Sequence, residues 1–268
     1  MYKACKENRR DIIDLLILNK DTDYNQGLVG ACEGGHIELV KMMLSLGAKN
    51  YNSGLNYACK EGHTAVVKMM LDLGATFYRQ AFGNACKGGH IEIVKMMLEF
   101  RIMDYNWGFK NACQGGHLEI IKMMLDLGAD DINYGLFYAC KIGNLEFIQM
   151  MLNLGANNYH GLKGACRGGN LKIIQMMLDL GANDYNNGLY HACRGGHIEI
   201  IKMMLELGAD NYDNLKLYGK LELKIMYIRL TRNVITLPIK KEHPEYNLLK
   251  FYNKHVPDIN RLINKYLF

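Results

Sequence analysis

The sequence predicts an all-α fold, a helix-turn-helix solenoid closed by a C-terminal helical cap, and three observations carry that prediction. An Ala-Cys pair recurs at 4/5, 31/32, 58/59, 85/86, 112/113, 139/140, 165/166 and 192/193, a spacing of 27 residues broken once by 26. Glycines punctuate each unit at matching places, as Gly62 and Gly74 do in the third. Between them runs a segment that is apolar on all but one narrow stripe. A period of this length indicates a stacked array, in which no unit buries its apolar faces alone.

Each element of the unit follows from its residues. In the unit at 108–129, a first short helix over 109–114 ends at Gly115-Gly116, where paired glycines supply a left-handed stop. The second helix, 118–127, closes at Gly128. A glycine opens the unit at Gly27, Gly54, Gly108, Gly135, Gly161 and Gly188, with Ala81 the exception. In the second helix that begins at Ile37, only Glu38, Lys41 and Ser45 are polar, so neighbouring units must cover the rest. A column of tyrosines (Tyr24, Tyr51, Tyr78, Tyr105, Tyr159, Tyr185 and Tyr212) falls in the loops. It is read as an inter-unit packing ladder, with base stacking the alternative.

Imperfect units mark points of stress. The first is cut short at Met1, and its second helix opens on Asn8-Arg9-Arg10-Asp11, polar as an end cap or as the remnant of a longer array. Near Phe100-Arg101-Ile102 the Leu-Gly-Ala signal is lost, so the fourth unit's helix is expected to bend or end differently. The loop before Gly161 is one residue short. The array spans 1–214, about eight units, and 215–268 form a basic C-terminal capping or recruiting segment. The array carries 21 basic and 23 acidic side chains and the tail 11 and 4.

Leu55, Ala58-Cys59, Gly62-His63, Val66-Val67, Met70-Leu71 and Gly74-Ala75 resemble the ankyrin repeat, over about four fifths of the chain. The resemblance implies an ankyrin-type solenoid that binds protein partners through its first helices. Glycine stands where the family opens with Thr-Pro, and the connection from Ala48 to Leu55 is short, so the hairpin loops are expected to be shortened. Units rich in Tyr-Asn and Gly-Leu are similar to the ankyrin arrays of giant DNA viruses (mimivirus-like), which implies a viral protein acting on its host. Such proteins often recruit a ubiquitin ligase through a C-terminal box, and Leu237-Pro238 invites that comparison, although Ile239-Lys240-Lys241-Glu242-His243 matches it poorly.

All eight cysteines belong to the Ala-Cys column, so they form no disulfide framework. They are read as small buried packing residues. The Cys-x-x-x-His spacing at Cys32/His36, Cys59/His63, Cys86/His90, Cys113/His117 and Cys193/His197 is half of a zinc site only, and Asn144 and Asn170 replace two of the histidines. No metal or cofactor is assigned, and each histidine is expected to bond backbone in its turn. Fourteen of the 17 methionines form Met-Met pairs, read as core filling. Glu92, Lys95 and Glu99 form a self-compensating exposed stripe.

One column has functional content. The residue after each cysteine is Lys6, Glu33, Lys60, Lys87, Gln114, Lys141, Arg167 or Arg194. Lys60, Lys87, Lys141, Arg167 and Arg194 are candidates to steer a protein partner with an acidic surface, with ordinary solvation the alternative. Trp107, Lys110, Asn111, Tyr134, Phe137, Tyr138, Tyr190 and His191 occupy positions that vary between units and join the candidate contact set, unless they pack against the next unit. Nucleic-acid binding through the basic column and tail is the second reading. Neither a phosphate-cradling loop, nor His-Glu-x-x-His, nor Gly-x-Ser-x-Gly occurs, so no enzyme is expected. With neither an apolar leader nor a membrane-length apolar run, the expectation is a monomer in a reducing, intracellular, cytoplasmic setting.

Overall fold

The computed structural model describes residues 1–18, 22–100 and 102–209. The tail's expected helices and its Leu237-Pro238 segment lie outside the described residues. Helices come in pairs: α1 (Tyr2–Lys6) with α2 (Arg10–Leu18), α3 (Tyr24–Gly34) with α4 (Ile37–Ser45), α5 (Tyr51–Glu61) with α6 (Thr64–Asp72), and α7 (Tyr78–Gly88) with α8 (Ile91–Leu98). They continue as α9 (Tyr105–Gly115) with α10 (Leu118–Asp126), α11 (Ile132–Ile142) with α12 (Leu145–Asn153), α13 (Asn158–Gly168) with α14 (Leu171–Asp179), and α15 (Tyr185–Gly195) with α16 (Ile198–Glu206). The described residues contain no strand. Two compact bodies, Met1–Gly135 and Leu136–Phe268, divide the chain within α11.

First helices begin earlier than the sequence suggests, at Tyr105 rather than residue 109 in the fifth unit. The cause is an aspartate cap: Asp23, Asp104 and Asp184 accept from the backbone N–H of Gln26, Trp107 and Asn187. Among the described residues the tyrosines are therefore not a loop column, and Tyr212 lies outside them. Tyr24, Tyr51, Tyr78, Tyr105 and Tyr185 are the first residues of their helices, and the shortened loop puts Asn158 in that place and Tyr159 second. Tyr78 stacks on Phe100 at 4.6 Å, the one ring contact in this column among the described residues.

The core is a set of repeated columns. Leu39, Val40 and Met43 are fully buried in α4, and their equivalents Ile120, Ile121 and Met124 are buried in α10. Only the second methionine of each pair is buried, while the first, such as Met42 or Met123, is half-exposed. The buried methionine explains the glycine that opens each unit. A Cβ on Gly54 would sit 2.9 Å from both Met70 Sδ and Cys32 Sγ of the preceding unit. Cysteine, methionine and glycine thus form one inter-unit contact, with Cys32 Sγ 3.8 Å from Met70 Sδ.

The Gly-Gly-His signature also works between units. The imidazole Nε2–H of His36, His63, His90 and His117 donates to the carbonyl of Lys6, Glu33, Lys60 and Lys87, each in the preceding first helix, at 2.9 to 3.0 Å. Histidine does bond backbone, but not in its own turn. The first glycine makes room for that reach: a Cβ on Gly115 would lie 2.3 Å from Lys87 O and 2.4 Å from the His117 ring. Only the second is left-handed, Gly116 with φ 79°, a conformation that spares glycine the usual Cβ penalty. Where asparagine replaces histidine, Asn144 and Asn170 instead cap their own helices on Phe147 and Ile173 N–H.

Loops carry another inter-unit bond. Asn25, Asn52 and Asn106, each second in its helix, accept with Oδ1 from two consecutive backbone N–H groups of the following loop, Lys49 and Asn50 in the case of Asn25, at 2.7 and 3.0 Å. Unit four departs from the pattern as expected: α8 is a residue shorter than its counterparts and ends at Leu98, with Glu99 as its cap. In the first unit the polar start holds, with Arg9 paired to Asp11, but farther along α2 Leu15 and Leu18 are 62% and 75% exposed.

Candidate functional site

First helices offer the surface on which the candidate residues fall, and each body presents its own. In the N-terminal body Lys60 and Lys87 are exposed. Charge there is largely answered locally. Lys6 pairs with the buried carboxylate of Glu33 at 3.0 Å, and Tyr2 hydrogen-bonds the same group. Burial pushes the Glu33 carboxyl above its usual range, against the downward pull of Lys60. Lys60 itself pairs with Glu61 at 2.7 Å, and Lys110 with Asp131 at 2.8 Å while resting over the Tyr134 ring. Gln114 donates to Tyr134 OH at 2.7 Å. Lys87 has no carboxylate partner among the described residues.

Trp107 and Asn111 are committed to their neighbours. The Trp107 indole lies on Gly83, whose Cβ would meet Nε1 at 2.3 Å, and its N–H donates to Arg79 O. The Arg79 guanidinium stacks 4.1 Å above the ring and pairs with Asp104 at 2.7 Å. Burial raises the Asp104 carboxyl, but the hydrogen bonds from Arg79 and from Trp107 N–H outweigh it, and the group titrates below its usual range. Asn111 is 8% exposed and donates to the backbone carbonyl of Trp107, so it is tied to its own helix and has little surface of its own.

The C-terminal body is different. Lys141 and Arg194 are exposed and Arg167 half-exposed, at equivalent places on α11, α13 and α15. Lys141 Nζ sits 5.1 Å from the Tyr138 ring centroid, and Arg194 lies 5.7 Å from that of Tyr190 while also donating to its hydroxyl at 3.2 Å. Phe137 contacts Tyr138 edge-on at 5.1 Å and His191 at 5.2 Å. The α13 backbone comes close to that of Phe137 at Gly164, where a Cβ would lie 2.0 Å from Phe137 O. Burial first, then the charges of Arg167, Lys163 and Arg194, lower the His191 imidazole to about 4 and keep it neutral at physiological pH.

Sequence reasoning passed over Lys163, which shares the sixth helical position of Lys110 and pairs with Asp184 at 3.5 Å. Comparing that position across units would have found it. Glu33 was seen only as an exception to a basic column, and its partners Tyr2 and Lys6 required the stacking geometry.

The cysteines and histidines diverge: every thiol is buried, and the histidines engage carbonyls. Among the described residues no group of three or more His, Cys, Asp or Glu is placed to hold a metal ion. Burial pushes the thiols of Cys32, Cys59, Cys86, Cys140 and Cys166 up to about 12. Such thiols are not thiolates near neutral pH. Maleimide labelling of the folded protein is therefore expected to proceed only through unfolding, with urea releasing all eight; rapid native labelling of these five would contradict the burial. Because the folded values lie above the unfolded 9.0, the thiols stabilise the fold fully below pH 9.0 and cease to do so as pH rises toward 12. The urea midpoint should fall over that window.

No helix among the described residues is long and apolar enough to cross a membrane. The family described as ankyrin repeats (3 copies) matches residues 1–81, 55–135 and 136–215. A search of curated proteins finds no match.

Proposed function

Because this chain belongs to the ankyrin-repeat family, we propose that it is a non-enzymatic scaffold that binds a protein partner through the exposed faces of its first helices. The observation that carries this reading is the division of labour within each unit. Cysteine, glycine, histidine and the buried methionine all serve contacts between units, whereas the residue after the cysteine reaches solvent in most of them. A framework fixed by its interior leaves that exposed column free to be set by a partner.

The partner surface of this proposal is acidic and is met by Lys60, Lys87, Lys141, Arg167 and Arg194, with Lys110, Tyr134, Phe137, Tyr138 and Tyr190 beside them. Trp107 and His191, both half-exposed, belong to that surface as well, with the nearly buried Asn111 beside them. Nucleic acid fits less well, because Lys60 and Lys110 already hold carboxylates and a phosphate backbone needs a sustained run of free cations. A monomer acting in the cytoplasm, of a host cell if the resemblance to viral arrays reflects the source, is part of the same proposal, as is a recruiting role for the tail.

The test is affinity capture from cell lysate with nuclease-treated controls, comparing wild type with a variant in which Lys60, Lys87, Lys141, Arg167 and Arg194 are all changed to Glu. The expected result is a protein recovered by wild type and lost by the variant, with unchanged helicity. Recovery that disappears with nuclease would replace the scaffold reading by the nucleic-acid one, and equal recovery by both proteins would remove the basic column from the site.

A further inference from the structure

We infer that the first-helix face of the C-terminal body is a site for an acidic, proline-rich peptide segment in polyproline II conformation, held by Lys141, Arg167 and Arg194 between the aromatic side chains of α11 and α15. The inference rests on the protein-binding reading and specifies its partner.

Charge is the first argument. Among the described residues, no carboxylate pairs with Lys141, Arg167 or Arg194, and the nearby Asp184 is already engaged by Lys163 and by the N–H of Asn187. The corresponding face of the N-terminal body supplies Glu33, Glu61 and Asp131 to most of its own cations. The exposed acids of the C-terminal body, Glu146, Asp179, Glu199 and Glu206, lie instead on the second helices. Lys172 and Lys202 share the second helices with those acids, whereas on the first-helix face the three cations stand without acids of their own, an arrangement that attracts a short acidic segment. A nucleic acid tracking beyond it would run onto the acids.

Two of the three cations are also held in place. Lys141 and Arg194 rest on the rings of Tyr138 and Tyr190, so less side-chain freedom is lost when a carboxylate arrives. The three helices approach closely through glycine: a Cβ on Gly168 would lie 2.1 Å from Lys141 O, and one on Gly195 2.6 Å from Arg167 O. This spaces the helix backbones that carry the three cations by one helix-packing interval, roughly 8–10 Å.

That interval selects a conformation. A polyproline II chain places every third residue on the same side, about 9.3 Å apart. An extended β-strand alternates sides every residue, so its residues three apart face opposite ways. Carboxylates at every third position of a polyproline II segment therefore match the cation ladder. The prolines between them would pack on Phe137, Tyr138 and Tyr190, as aromatic surfaces accept this helix elsewhere.

The test is fluorescence anisotropy on the full chain with fluorescein-labelled Glu-Pro-Pro-Glu-Pro-Pro-Glu. A second probe has the same composition with its glutamates contiguous, and a third is oligothymidylate. The expected result is that the first peptide binds best, and that the triple variant Lys141→Gln, Arg167→Gln, Arg194→Gln weakens it by at least about tenfold. The double variant Lys60→Gln, Lys87→Gln should leave it within about twofold. Circular dichroism on each variant separates lost binding from lost fold, and Arg167→Lys, which keeps the charge, should retain most of the affinity. Equal binding by wild type and triple variant would overturn the inference, as would tighter binding of oligothymidylate that the same variant abolishes. Partner capture that survives while the peptide fails to bind would sink this inference alone and leave the scaffold reading standing.

Discussion

Gly164→Ala is expected to destabilise the C-terminal body by about 3 kcal/mol, read as a lowered urea midpoint with an unchanged slope. Helix propensity argues the other way, since alanine in place of glycine within a helix stabilises by about 1 kcal/mol. Space decides the sign. The added methyl would lie 2.0 Å from Phe137 O and 2.8 Å from its carbonyl carbon, and these are backbone atoms of a packed helix that no rotamer change can move aside. Relief requires α11 and α13 to part, which loosens Leu136 and Leu162 in the core and separates Phe137 from His191. A midpoint equal to or above wild type would mean that the helices part freely and that close approach at Gly164 is not a constraint.

Phe82→Ala is expected to remove about 4 kcal/mol from the N-terminal body. Phe82 takes a position held by leucine in most units and is fully buried. Its ring reaches Gly108 of the next unit, where a Cβ would stand 2.6 Å from Cε1, with Met124 Sδ at 2.7 Å. Truncation therefore opens a cavity at a place where the neighbour has no side chain with which to fill it. The same geometry predicts coupling. Gly108→Ala should destabilise the wild type but be neutral or mildly stabilising beside Phe82→Ala, because the methyl then enters vacated space. Additive effects in this double-mutant cycle would show that ring and glycine are not in contact.

Much of this fold is legible in the sequence because its determinants lie within one unit. The Ala-Cys period, the stripe of Glu38, Lys41 and Ser45, the short loop before Gly161 and the lost signal at Phe100 each appear where expected. Contacts between units are less legible. His117 could be seen to need a backbone acceptor, but nothing local says that the acceptor is Lys87 O, 30 residues earlier. Asn106 looks like an ordinary loop residue until stacking brings the N–H groups of Asp130 and Asp131 to it. The candidate site divides along the same line. The basic column is readable, but the carboxylates that answer part of it are not. Trp107 varies from its counterparts because Gly83 beside it varies too, so a position that looked free for a partner is matched by its neighbour.

The bonds that join units have fixed offsets, 30 residues for those of His36, His63, His90, His117 and His197 and 38 for Cys32 with Met70 and Cys166 with Met204. A gene segment encoding one whole unit, cut in any phase, can therefore be copied or lost and still return each donor to an acceptor of the same kind. Such a chain changes its length by recombination without inventing a new interface. What must mutate afterwards is limited to outward-facing side chains and to fits peculiar to one pair of units, such as Trp107 on Gly83.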